Sequence, residues 1–235
     1  MKTIMKNSLC FLIGLFILFS FNCYAGETLT AQQKEAEVWY EKANSVDTLA
    51  LKIEYYTKAI ELDPEFVNAY NNRGYAYINL GEYQKAIDDC SKAVEIDPKL
   101  ASAYNNRGVA YINLGKYQKA IDDCSKAIEI DPKLANAYNS RGNVYVVGLG
   151  KYQKAIDDYS KAIELNPSFA SAYFSRGTAY TFQKSPTAAG GDFYQAGILF
   201  LKQNNTSQAL ICVDWMKKIN PSSPLINKLM DQINK

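Results

Sequence analysis

The chain has no histidine. That removes the commonest general base and the commonest metal ligand among the side chains. A Gly-rich phosphate loop is missing, and so is any paired-cysteine metal spacing. Charge imbalance is missing too, since 26 Lys and Arg stand against 24 Asp and Glu. With no basic run and no basic excess, nucleic acid is not an expected partner. These absences point to no cofactor, no metal and no catalysis. An enzyme would need a hidden site within residues 185–205. Proline occurs seven times, and five of those follow an Asp or Asn that closes a helical run, so even the breakers are placed in a pattern.

Long apolar runs are missing with one exception, residues 8–21. Lys2 and Lys6 precede it, and Cys23-Tyr24-Ala25 follows with a small residue before Gly26. That is the layout of a secretory signal peptide cut near Ala25. The run is shorter than the ~20 residues of a spanning helix; the alternative is an anchor formed by residues 8–25, the only route to a membrane. A lipid on Cys23 is a further alternative, but Ser20-Phe21-Asn22 lacks the aliphatic and small residues expected before such a cysteine. Removing residues 1–25 takes away two basic and no acidic residues, so 24 face 24 and the mature chain is neutral.

What is present is repetition. Residues 67–100 and 101–134 are one 34-residue unit written twice, with 29 of 34 positions identical. Residues 135–169 are a third copy, one residue longer within Val147-Gly148-Leu149-Gly150. A period of 34 points to a stacked helical array. Within the unit, Ala69, Tyr70, Gly74 and Tyr77 fall at helical spacing. Gly81-Glu82 breaks the run, and Tyr83, Ala86, Ile87, Cys90, Ala93 and Val94 resume it until Asp97-Pro98. Each unit therefore predicts two antiparallel helices, with small residues where the helices approach and large ones between. One pair cannot bury its apolar face alone, and stacking gives a continuous core.

The unit resembles the tetratricopeptide repeat family. The signature reads Tyr70, Gly74, Tyr77, Ala86, Cys90, Ala93 and Pro98, and returns in register in the next two copies. Where the family usually has Leu before the Gly, this chain has Arg73, Arg107, Arg141 and Arg176. The resemblance implies an all-α fold, a right-handed superhelical stack of antiparallel helix hairpins. It also implies a non-enzymatic scaffold with a protein or peptide partner in its concave groove.

The remaining segments fit around these copies. Residues 27–33 read as a polar leader and 33–66 as a degenerate first repeat, with Trp39 at the Arg position and Lys52 at that of Ala86. Residues 170–223 read as divergent C-terminal repeats. There, Pro186 and Gly190-Gly191 predict an interrupted second helix and a short helix from Asp192 to Lys202, while Gly197, Ala209 and Pro221 fall in phase for a fifth hairpin. Residues 224–235 predict a capping helix with Leu225, Leu229 and Ile233 on one stripe. Asn204-Asn205-Thr206 reads as a capping turn rather than a glycosylation site. Cys90 and Cys124 occupy matching places on neighbouring helices about 8–10 Å apart, too far for a disulfide. They read as small core residues.

The repeated polar residues carry two expectations. Each Arg should bridge to an Asp of its own hairpin, Arg73 to Asp89 for example, rather than form a ladder that grips acidic peptide. The family's first helices line the concave side, so the expected binding residues are Asn68, Asn71, Asn72, Tyr75, Asn79, Asn105, Asn106, Asn113, Asn139 and Asn143. Asparagine supplies a donor and an acceptor that match an extended main chain. The resemblance implies such an asparagine ladder at Asn72 and Asn106, broken at Ser140 and Ser175. The family's Lys and Arg clamp for a terminal carboxylate has no counterpart here. Apolar contacts are expected from Tyr75, Ile78, Val109, Ile112, Val146 and Phe174. The competing expectation is an assembly component of the cell envelope that docks through its convex or C-terminal face.

Overall fold

The computed structural model describes residues 29–234. The expected export signal at residues 1–25 lies outside them. The described residues form twelve α-helices and no strand. They are α1 Ala31–Ser45, α2 Leu49–Leu62, α3 Val67–Asn79, α4 Tyr83–Ile96, α5 Ala101–Asn113, α6 Tyr117–Ile130, α7 Ala135–Val147, α8 Tyr152–Leu165, α9 Ala170–Phe182, α10 Pro186–Lys202, α11 Thr206–Ile219 and α12 Pro224–Ile233. The helical start at Ala31 shortens the expected leader: Thr30 and Gln33 form a reciprocal capping box there.

Two local devices set the period. At the hairpin turn Gly81 has φ +77°, a left-handed conformation that costs glycine nothing. Gly81 N–H then donates to Ile78 O, and Glu82 N–H to Tyr77 O at 2.9 Å. Between hairpins, Asp97 N–H donates to Ala93 O while its carboxylate accepts from Lys99 N–H at 2.8 Å. The Asp side chain thus closes an Asx turn just where proline forbids more helix. The extra residue of the third copy is absorbed by a longer turn, closed by Lys151 N–H to Tyr145 O at 2.8 Å.

Close approach fixes how each hairpin packs. A Cβ on Gly74 would sit 2.7 Å from Cys90 Sγ, and one on Gly108 2.9 Å from Cys124 Sγ. Cys90, Cys124 and Cys212 are buried and unpaired. Burial pushes the Cys90 and Cys124 thiols up to about 12. In the first hairpin large and small residues trade places: Ala36, Tyr40 and Ala43 stand where later copies have Tyr, Gly and Tyr, and both alanines are fully buried.

Neighbouring hairpins stack unequally. Consecutive first helices, α3 on α5, α5 on α7 and α7 on α9, pack against each other, whereas consecutive second helices scarcely meet. The stack therefore fans open on the side of α4, α6 and α8. The first helices α3, α5, α7 and α9 form the inner wall of the curve.

The C-terminal end departs from expectation. α10 runs unbroken from Pro186 to Lys202 through Gly190-Gly191. Pro186 occupies the first helical position, where a missing N–H costs nothing. Burial of Ala189, Asp192, Phe193 and Ala196 holds the helix across the two glycines despite their poor propensity. α10 also serves two hairpins. Ala189 and Phe193 face Gly177 of α9, as Ala86 and Cys90 face Gly74. A second turn at Asn204, φ +57°, joins α10 to α11, with Asn205 N–H donating to Phe200 O at 2.9 Å. α12 closes the end by seating Leu229 against Gly197.

Candidate functional site

The arginines come first, because they decide what charge the inner wall offers. Arg73 donates twice to Asp89, at 2.8 Å each, and Arg107 twice to Asp123, at 2.7 and 2.8 Å. Arg141 pairs the same way with Asp158, and Arg176 with Asp192. The third nitrogen reaches back to the preceding hairpin: Arg73 to Thr57, Arg107 to Ser91, Arg141 to Ser125 and Arg176 to Ser160. Each guanidinium also lies over the Tyr three residues earlier, as Arg107 lies 5.4 Å from the Tyr104 ring centre.

One side chain therefore ties three helices, the physical reason this chain keeps Arg before the Gly. The acidic pairs split as helix geometry requires: Asp89 is buried on Arg73, while Asp88 is exposed and accepts from Gln84. Burial raises the Asp89 carboxyl pKa against the pull of Arg73, whereas the hydrogen bonds to Asp123 raise that of Arg107. Such a pair adds little net stability, but losing one partner strands the other. In the first hairpin Trp39 and Tyr55 replace Arg and Asp, with ring centres 5.5 Å apart.

The expected asparagines divide into two sets. Asn71 and Asn105 are buried. Asn71 donates to Asn72, Asn72 donates to the Tyr40 hydroxyl, and Asn106 donates to Asn71 at 3.0 Å. The ladder residues Asn72 and Asn106 are thus used between hairpins. Alanine at either should lower stability as well as any binding, which the sequence does not reveal. Asn143 accepts from the Tyr159 hydroxyl at 2.8 Å, and Asn113 donates to its own helix at Val109 O. Asn139 is half-buried. Asn68, Tyr75 and Asn79 are exposed.

Two buried acceptors, Asn105 Oδ1 and Asn139 Oδ1, have no partner. Their place in the repeat explains this. Asn106 reaches Asn71 from the next hairpin, but the equivalent residues facing Asn105 and Asn139 are Ser140 and Ser175. Serine is too short to complete the bond. Ser140→Asn is therefore expected to raise stability by about 1 kcal/mol, the net worth of one hydrogen bond. Chemical denaturation measures it, and an unchanged or lower midpoint would refute the assignment.

The apolar part of the wall differs from expectation. Ile78 and Val146 pack into clusters between hairpins. Phe174 packs on Phe193 at 5.4 Å and on Trp215 at 6.3 Å. Of the expected contacts Tyr75 is exposed, at 56%, and it is joined by Val147 at 67% and Phe182 at 52%. Sequence reading passed over Val147 and Phe182. Their signal was register: Asn79, Asn113, Val147 and Phe182 each end a first helix and are all exposed.

These hairpins match known proteins. A sequence profile described as "Tetratricopeptide repeat" matches residues 67–100 and 101–134, a second of that description matches 124–157, and one described as "TPR repeat" matches 147–182. The chain is a tetratricopeptide repeat protein. It is similar to Hsp70-Hsp90 organizing protein 3 of Arabidopsis thaliana, 36% identical over 59 residues, which is 25% of this chain and 10% of that protein. The chain thus spans about a tenth or less of its curated relatives. The crystal structure of MamA covers 74% of this tetratricopeptide repeat protein and 94% of its own chain, with 29% identity and TM-score 0.58. YrrB, described as a TPR protein with an unusual peptide-binding site, covers 75% and 97%, with 25% identity and TM-score 0.50.

Proposed function

We propose that this tetratricopeptide repeat protein is a non-catalytic scaffold that holds a peptide or protein segment against its inner wall. The observation that carries the reading is the exposed line of Asn79, Asn113, Val147 and Phe182 at the ends of the first helices, with Tyr75 beside it. Tyr75, Val147 and Phe182 expose apolar surface on this wall, and contiguous exposed apolar surface marks interaction sites. The peptide-binding site named for YrrB supports the same reading. Tyr75→Ala combined with Val147→Asp is expected to weaken a crosslinked native partner about tenfold, while stability stays within about 0.5 kcal/mol, as for exposed positions. Isothermal titration and a melt measure the two. Undiminished binding would refute the groove and favour docking through the other surfaces.

Export belongs to the same proposal. It rests on the basic start and apolar run of residues 1–21 and the small residue at Ala25. N-terminal sequencing of native protein is expected to begin at Gly26. A chain that keeps residues 8–25 would be anchored rather than exported.

A further inference from the structure

We infer that the occupant of the inner wall is an uncharged extended segment, about nine residues long, with an apolar side chain at the end that lies over α7 and α9. This rests on the groove reading above. The four helices of the wall carry one charged residue each, Arg73, Arg107, Arg141 and Arg176. Every one is spent on a buried Asp at 2.9 Å or less. Free charge lies outside these four helices: on the second helices, in pairs such as Lys92 with Glu95 and Lys126 with Glu129, on α1 at Lys34, Glu35, Glu37, Glu41 and Lys42, and at Lys99 and Lys133 in the turns before α5 and α7. A charged ligand would lose its hydration and meet no counter-ion there.

Length follows from geometry. Four helices at about 8–10 Å spacing span about 30 Å, which an extended chain crosses in about nine residues. Polarity follows from the exposed line. At the helix-end position it reads Asn79 and Asn113 over the first two copies, then Val147 and Phe182 over the next two, with exposed Tyr75 beside Asn79. Phe182 stacks on Tyr152, ring centres 5.1 Å apart and planes 11° from parallel, which presents a firm apolar ledge. The amide half suits main chain or small polar side chains, and the other half suits an aliphatic or aromatic one.

The test is selection of displayed random peptides on the purified chain, followed by fluorescence anisotropy with acetylated, amidated copies of the selected sequences. The expected peptides lack charge over the bound stretch and share an apolar residue near one end. Adding one Glu or one Lys within it should weaken binding about tenfold or more. Affinity should change less than about twofold between about 50 and 500 mM NaCl, since no ion pair is screened. Val147→Asn with Phe182→Asn should abolish the preference for the apolar end. Selected peptides that share charged residues, or affinity that collapses with salt, would overturn this inference and leave the groove standing. If no peptide is selected, or if binding survives Tyr75→Ala with Val147→Asp, the groove reading falls and this inference with it.

Discussion

Replacing Asp123 by alanine is expected to cost about 3 kcal/mol, within the range for stranding one member of a buried pair. For a chain of this size that is about 6–12 °C of melting temperature. Arg107 would keep only Ser91 at 3.2 Å and the Tyr104 ring, with its side chain 18% exposed. Coupling should suffer as well. Arg107 joins α5 to α6 and to α4 at once, so its loss weakens the contact between neighbouring hairpins. An array held by nearest-neighbour terms then melts over a broader range. Arg107→Met combined with Asp123→Leu should recover most of the loss, because apolar residues of similar volume replace such pairs at little cost. A thermal melt of the single and double variants decides. A single variant within about 0.5 kcal/mol of the parent would mean that the pair is peripheral.

The second large effect is expected at Phe193. Phe193→Ala should destabilise the C-terminal end by about 3–5 kcal/mol, the usual cost of emptying a phenylalanine site. The ring is fully buried. It stacks on Trp215 at 5.6 Å and meets Phe174 edge-on. It also fills the place that Cys90 and Cys124 fill in earlier copies. A Cβ on Gly177 would lie 3.1 Å from that ring, so Gly177→Ala is tight in the parent. In the Phe193→Ala background Ala189 O still lies 3.3 Å from the added Cβ, so Gly177→Ala should recover little of the loss. Hydrogen exchange should place the damage in α9 to α12. Exchange that rises equally in α3 to α6 would show that the end is not a separate cooperative unit.

Much of the fold was legible residue by residue. The 34-residue period, the Gly turn, the Asp-Pro stop and the pairing of Arg73 with Asp89 could all be read because each is local or repeats in phase. The C-terminal end was harder. Gly190-Gly191 reads as a break, since helix propensity is a local quantity. The burial that overrides it comes from Trp215 on α11 and Leu229 on α12, far along the chain. The inner wall was half legible. The sequence marks which residues share a helix face, so Asn68, Asn71, Asn72, Tyr75 and Asn79 group together, and of these Asn68, Tyr75 and Asn79 are exposed. It does not mark which polar side chains the neighbouring hairpin consumes. Asn71, Asn72 and Asn106 are spent on one another and on Tyr40 for that reason.

By itself, the sequence determined the hairpin, its period, its stacking and the single Arg on each repeated first helix, because repetition turns each local rule into a global one. Only the tertiary structure decided which faces stay open. Exposure depends on how far neighbouring hairpins fan apart and on whether a side chain in the next copy is long enough to reach back. Asn106 reaches Asn71, and Ser140 stops short of Asn105. Val147 and Phe182 stay exposed at the ends of α7 and α9, Phe182 with one face stacked on Tyr152.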